Sequence, residues 1–416
     1  MDTDRKAVLA GCFGNFIEIY DYSYYAYFST LTANIFFPSE KYELALVYMF
    51  AIFAIERFIK PISGLFMGIF VDKHGRNKAL YYSVAGMIVT SSFMSLLPTY
   101  NTIGIAAPLL LLTIRIMQGI FCSGEFITSI VYISENSSKK IKGLISSSAF
   151  ISATLGIIAS SLISLVIIKN LNHANLMNWG WRIPYLIGIP IYFLSYKIRK
   201  YLLKNSTPSP KNILTKDILK EVFYQNTKEL IISGFITFLS GSLFFIFLIY
   251  LPTHLAHQKH IELSSIVIIT ITNLVVYSLF LPLFGLLSDK WGRKKIIFLA
   301  SISILIFIYP IFDLINSSDL ISARIAFIIY AILLAALNGA LPALLNDIFP
   351  ASSRVTSVAI GYGTVLAISG GISPLVCLFL IKITSNANAP SYYLMLVAFL
   401  SCIATWFLKP KSFQFK

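Results

Sequence analysis

Seven ionisable side chains stand inside long apolar stretches of this sequence: Glu18, Asp21, Glu56, Arg57, Lys60, Arg115 and Glu125. A bare charge is costly where water is scarce, so such groups are functional candidates by default. Glu18 and Asp21 are three apart and share a helix face. Two close carboxyls in a weakly solvated place do not both ionise easily, so one holds a proton near neutral pH. Asp21, Glu18 and Glu125 are therefore the candidates for binding a proton. Glu56 and Lys60, four apart in the favourable order, suit an ion pair. Arg57 points about 100° away from Glu56 and can meet a carboxylate with two parallel hydrogen bonds. Arg115, Gln118, Cys122 and Glu125 fall within an arc of about 80°, a polar stripe that belongs against a cavity rather than lipid. The candidate solute-binding groups are Arg57, Lys60, Arg115 and Gln118. Tyr22 and Tyr25, beside Asp21, offer π faces to a quaternary ammonium. A static network that only stabilises the helices is the plainer reading of the same charges.

The elements that must position these groups follow from composition. Of the 416 residues, 57% are hydrophobic and 12% charged, with a mean hydropathy of +0.77. Soluble domains carry roughly 25% charge. Apolar runs long enough to cross a bilayer, about 20 residues each, recur from Val8 to Leu408. Backbone groups in lipid must be satisfied internally, so these runs are helices; the alternation of a membrane barrel is absent. The runs predict twelve helices over 8–30, 44–71, 78–98, 104–131, 143–168, 183–203, 228–252, 262–287, 295–315, 321–345, 355–383 and 391–408. The fold class expected is an all-α membrane protein of two six-helix bundles. The polar stretch 204–228 reads as a linker, with bundles over 1–203 and 229–416.

Basic residues set the orientation. With the N-terminus inside, roughly 24 Lys/Arg fall on the cytoplasmic side and about 6 outside. Both termini and the linker are thus expected in the cytoplasm. The same asymmetry accounts for the net charge of +15, so no nucleic-acid partner is expected. The first apolar run carries Glu18 and Asp21 and no cleavage site, so it reads as a retained helix rather than a signal peptide. Cys12, Cys122, Cys377 and Cys402 have no metal-ligand spacing and read as small apolar fillers. His254, His257 and His260 could hold a metal by spacing, but a solvated loop is the simpler reading, and no metal or other cofactor is expected. No nucleotide-binding glycine loop or nucleophile elbow is present, so no enzyme is expected.

An internal repeat supports two halves. Gly68-Ile-Phe-Val-Asp72-Lys73-His-Gly75-Arg76 follows the second helix, and Gly285-Leu-Leu-Ser-Asp289-Lys290-Trp-Gly292-Arg293 follows the eighth. Asp, Lys, Gly and Arg keep their spacing half a chain apart, which implies parallel halves related by an axis along the membrane normal. Asp72, Arg76, Asp289 and Arg293 sit at helix ends, where they can pair with opposite charges or with another helix's N-terminus. Such contacts suit a cytoplasmic gate.

The repeated loop resembles the signature of the major facilitator superfamily. Gly14-Asn-Phe-Ile-Glu18-Ile-Tyr-Asp21-Tyr22, Lys60-Pro61-Ile-Ser-Gly64, Arg115-Ile-Met-Gln118-Gly119, Ser123-Gly124-Glu125, Trp179-Gly-Trp-Arg182-Ile-Pro184 and Tyr250-Leu-Pro252-Thr253 are similar to segments of its metabolite:proton symporters. Phe349-Pro350 with Arg354 and Thr356 extends the likeness. Within that family the chain most resembles the bacterial proline/betaine transporters, whose loop Tyr100-Asn101-Thr102-Ile103-Gly104 it shares. It departs from them at Ile19, Lys60, Ser123, Glu56, Arg57 and Asp347, and no long coiled-coil tail is expected.

The resemblance implies a proton symporter working by alternating access, with a proton as the coupling ion, a small-molecule substrate, the lipid bilayer as surroundings and one chain as the functional unit. The substrate it implies is a small zwitterion such as proline or glycine betaine. A di- or tricarboxylate is the alternative, which Arg57, Lys60 and Arg115 suit. An exporter or drug antiporter of the same fold is a further alternative, and a non-transporting sensor a last one.

Overall fold

The computed structural model describes residues 2–38, 42–202, 214–252, 254–255, 263–317 and 319–408. Twelve long helices run through the described residues: α1 Asp2–Phe36, α2 Tyr42–His74, α3 Arg76–Leu96, α4 Ala106–Glu135, α5 Lys139–Asn170, α6 Ile183–Leu202, α7 Thr227–Tyr250, α8 Leu263–Trp291, α9 Arg293–Asn316, α10 Leu320–Ile348, α11 Arg354–Thr384 and α12 Ala389–Trp406. No strand occurs among them. Each overlaps an expected span, and several run further at the basic end because their last turns leave the apolar zone. Nine of the described helices are long and apolar enough to cross a membrane. The other three, α1, α2 and α6, have the length and carry ionisable residues within it.

Prolines sit inside α2, α6, α8, α9, α10 and α11 without ending them. Membrane helices tolerate this because neighbours and hydroxyl side chains satisfy the freed carbonyls. Wider π turns end α7, over Ile246–Tyr250, and open α11, over Ala359–Thr364. The two repeated loops share one backbone device. Gly75 and Gly292 both take φ 93°, a conformation closed to most side chains, and each starts the next helix at once.

Two compact units emerge. One comprises Met1–Tyr132 with Ser152–Ile213, and the other Ile133–Ile151 with Leu214–Lys416. In the first, α2 packs on α4, α3 on α4 and α6, and α1 on α2 and α6. In the second, α10 packs on α8 and α9, α12 on α7 and α9, and α11 on α7. The first residues of α5 belong to the second unit and lie against α8 and α10.

The stretch expected as a linker is partly helical. Residues 203–213 lie outside the described residues, but Thr215–Lys220 and Glu221–Gln225 form consecutive helical segments. Ile218 and Val222 are fully buried. The Glu221 carboxylate accepts from the Ser352 hydroxyl at 2.7 and 2.8 Å.

Candidate functional site

The apolar faces of α1, α2, α4 and α6 bring the ionisable groups of the first unit together. Glu56 of α2 is 2% exposed and lies 3.5 Å from Lys60 Nζ and 3.7 Å from a terminal nitrogen of Arg115. The expected (i, i+4) pair is therefore present, and Arg115 of α4 joins it. Arg115 is 1% exposed. It donates to the Tyr185 hydroxyl of α6 at 2.9 Å, and its guanidinium lies 3.4 Å from the centre of the Tyr25 ring. A charge this deep is tolerable only with such partners.

One turn away, Asp21 is 3% exposed. Its Oδ2 accepts from Gln118 Nε2 at 2.9 Å and from the Tyr192 hydroxyl at 3.3 Å. Glu18 is buried as well, and among the described residues its Oε2 has no hydrogen-bond partner. Lys60 sits over the Tyr22 ring at 4.3 Å, and the Arg57 guanidinium over the same ring at 5.2 Å. The tyrosines crowding α1 anchor it to the segment entering α6: Tyr24 donates to the Trp181 carbonyl at 2.8 Å and Tyr20 to that of Pro184 at 3.1 Å.

The structure thus gathers Glu18, Asp21, Tyr22, Tyr25, Glu56, Arg57, Lys60, Arg115 and Gln118 in one unit. Glu125 joins a different partner. It opens the second segment of α4 after the turn at Gly124. Arg199 of α6 grips both carboxylate oxygens. Arg199 also donates to the carbonyls of Ala10, at 3.1 Å, and Leu80, at 2.7 Å. One fully buried guanidinium therefore ties α1, α3, α4 and α6.

Arg199, Tyr185 and Tyr192 escaped the sequence reading. Arg199 stands in the run Tyr196-Lys197-Ile198-Arg199-Lys200, which looks like an ordinary basic helix end. Its spacing of four from Ser195 and seven from Tyr192, both buried, places it on the inward face of α6.

In the second unit the repeated loop makes its contacts. Asp289 Oδ1 accepts from the Gly143 backbone N–H at 2.7 Å, and Oδ2 from that of Leu144 at 3.0 Å. A carboxylate here faces the positive end of α5. Asp289 also lies 3.4 Å from Arg293, which pairs with Asp347 of α10. Lys142 of α5 reaches Asp347 at 2.7 Å, and Arg354 pairs with Glu135. The helices approach closely because both contact residues are glycine: a Cβ on Gly143 would fall 2.5 Å from the Gly285 carbonyl oxygen. The matching Asp72, in the first unit, is buried; Arg76 is half-buried.

The histidine expectation needs correcting. His254 is buried rather than solvated, because both ring nitrogens find partners. Nδ1 lies 3.2 Å from the Tyr250 hydroxyl and Nε2 2.7 Å from Asn316 Oδ1. His257 and His260 lie outside the described residues. Among the described residues no cluster of three metal-ligating side chains occurs.

The chain has counterparts among known proteins. The family model "Sugar (and other) transporter" matches residues 7–199, and "Major Facilitator Superfamily" matches 230–414. The alpha-ketoglutarate permease of Escherichia coli K12 is 30% identical, over 99% of this chain and 95% of the permease. The proline/betaine transporter of the same organism is 27% identical, over 96% of this chain and 82% of its own. The solved structure of the proton:xylose symporter XylE superposes with a TM-score of 0.76 at 15% identity, covering 98% of this chain and 95% of that one. The chain belongs to the major facilitator superfamily. It is a multi-pass membrane protein of the twelve-helix fold, and its relatives are transporters rather than enzymes.

Proposed function

We propose that the chain is a proton-coupled symporter of a small carboxylate-bearing solute in a bacterial inner membrane. It works by alternating access of its two halves, 1–203 and 229–416, joined through 204–228, with one chain as the functional unit and both termini cytoplasmic. The observation that carries this reading is the buried cluster of the first unit. Lys60 and Arg115 meet Glu56, Arg57 and Lys60 stand over Tyr22, and Glu18 and Asp21 are buried on the same α1 face, all inside otherwise apolar helices. Cations suited to a carboxylate thus lie beside carboxyls suited to a proton. The contacts of Asp289 with the start of α5 form the cytoplasmic gate in this reading, with Asp72 and Arg76 at the matching positions of the first unit's loop.

The substrate class follows from what covers the aromatic rings. A quaternary ammonium needs an aromatic face clear of positive charge. Lys60 and Arg57 already stand over Tyr22, and Arg115 over Tyr25. The rings expected to hold a betaine head thus serve the protein's own cations. That favours a dicarboxylate, in keeping with the likeness to the alpha-ketoglutarate permease. A zwitterion such as proline or glycine betaine is the second reading, favoured by the likeness to the proline/betaine transporter. Uptake and counterflow in proteoliposomes, with α-ketoglutarate, citrate, proline and glycine betaine offered in turn, test both. Uptake that accelerates when the outside is made acidic supports the symporter. Absence of counterflow with every solute sinks it.

A further inference from the structure

Of the buried carboxyls of the first unit, Asp72 belongs to the repeated loop; of the other four, three are held. Asp21 has two donors on one oxygen, Glu56 lies between Lys60 and Arg115, and Glu125 is gripped by Arg199. Glu18 differs. Among the described residues it forms no ion pair, and its Oε2 has no hydrogen-bond partner. The backbone amide of Phe126 is the hydrogen-bond donor that faces it.

An ionised carboxylate left this way would be a buried charge without compensation, whereas a carboxylic acid leaves only a neutral hydroxyl short of a partner. From here we infer that Glu18 carries the coupled proton, that Asp21 is a fixed anion, and that Lys60 links the proton to the substrate. This deepens the symport reading and rests on it.

The link follows from what surrounds Glu18. The charged and titratable groups within electrostatic reach of Glu18 are Lys60 and Glu56 of α2, Cys122 and Glu125 of α4 and Tyr192 of α6, with Asp21 one turn on along its own helix. Glu125 is already neutralised by Arg199. Lys60 is the cation placed to answer a change at Glu18. Its ammonium is held loosely, 3.5 Å from Glu56 and over Tyr22, and its side chain is 23% exposed in an otherwise buried cluster.

When Glu18 loses its proton, Lys60 swings to the new carboxylate. When a substrate carboxylate binds Lys60, Glu18 must regain a proton from water to stay buried. Proton and substrate therefore bind together and leave together, and each raises the affinity for the other by the same factor. No bond other than O–H of Glu18 is made or broken, and the proton returns to water on the side where substrate is released.

Proton uptake on binding tests the inference. Purified protein in weakly buffered detergent solution is mixed with whichever of α-ketoglutarate, proline or glycine betaine drives uptake in wild-type vesicles. At a pH high enough for Glu18 of the substrate-free protein to be ionised and paired with Lys60, the wild type is expected to take up about one proton per substrate bound, with affinity falling as pH rises. Glu18→Gln should bind with no proton uptake and with affinity independent of pH. Lys60→Gln should likewise bind without proton uptake, because Glu18 then stays protonated throughout. This second variant decides the matter if the first does not fold. Normal proton uptake by either variant overturns the inference. A wild type that binds without taking up protons would defeat the symport reading itself. Proton uptake lost in Asp21→Asn but kept in Glu18→Gln would defeat the inference alone.

Discussion

Arg199 of α6 grips both oxygens of Glu125 at the turn that divides α4, and neither side chain is more than 2% exposed. Removing one partner of a buried pair leaves an uncompensated charge, which costs about 3–5 kcal/mol. Arg199→Met is therefore expected to lower the melting temperature in detergent sharply. Arg199→Met with Glu125→Met, which removes both charges, should recover most of the loss. A single variant as stable as the wild type would mean that the pair does not hold the four helices.

Such a lock was only half legible beforehand. Glu125 stood out because an acid in an apolar run is conspicuous. Arg199 did not, because a basic residue at a helix end is what the positive-inside rule predicts anyway. Helix number and approximate bounds were legible for a simpler reason: every span is a run of apolar residues, and lipid admits only helices there. The pairing of Glu56 with Lys60 could be anticipated from helix periodicity; the hydrogen bond from Gln118 to Asp21 could not, because it joins two helices. The stacking of Lys60 on Tyr22 and Arg115 on Tyr25 could not, since it depends on how α1 is rotated against α2 and α4. His254 was misread because its partner, Asn316, lies on another helix.

The close crossing of α5 and α8 gives a second prediction. Asp289→Asn keeps one acceptor oxygen for the Gly143 and Leu144 amides, turns the other into an NH2 donor, and loses the charge that faces the helix end and Arg293. It is expected to reduce initial uptake rates severalfold with little change in expression, and Asp72→Asn likewise. Gly143→Ala should act more strongly, because its Cβ would fall 3.0 Å from Asp289 Oδ1 as well as against the Gly285 carbonyl. Normal initial rates in all three would remove the reason to regard these loops as a gate.

Orientation is open to direct chemistry. Lys290 and Asn386 are exposed at opposite ends of the second unit's helices. In a background with Cys12, Cys122, Cys377 and Cys402 replaced by alanine, Lys290→Cys should react with an impermeant maleimide only after the cells are opened. Asn386→Cys should react in intact cells. The reverse pattern would invert the topology.

The last prediction concerns Arg57 and the choice of substrate. Its guanidinium stands over Tyr22 beside Lys60. In a dicarboxylate carrier, Arg57 holds the second carboxylate. A hydrogen bond to a charged group contributes about 1.5–3 kcal/mol, so Arg57→Gln is expected to raise KM for α-ketoglutarate about ten- to a hundredfold. Maximal velocity should change less, because the group binds substrate and does not carry the proton. Tyr22→Leu should then act in the same direction, by loosening Lys60 and Arg57. In a betaine carrier the order reverses: removing Arg57 would relieve repulsion of the quaternary ammonium and lower KM for glycine betaine, and Tyr22→Leu would raise it. Kinetics of both variants with both solutes therefore separates the two readings. A KM unchanged for every transported solute in both variants would place substrate binding elsewhere in the chain.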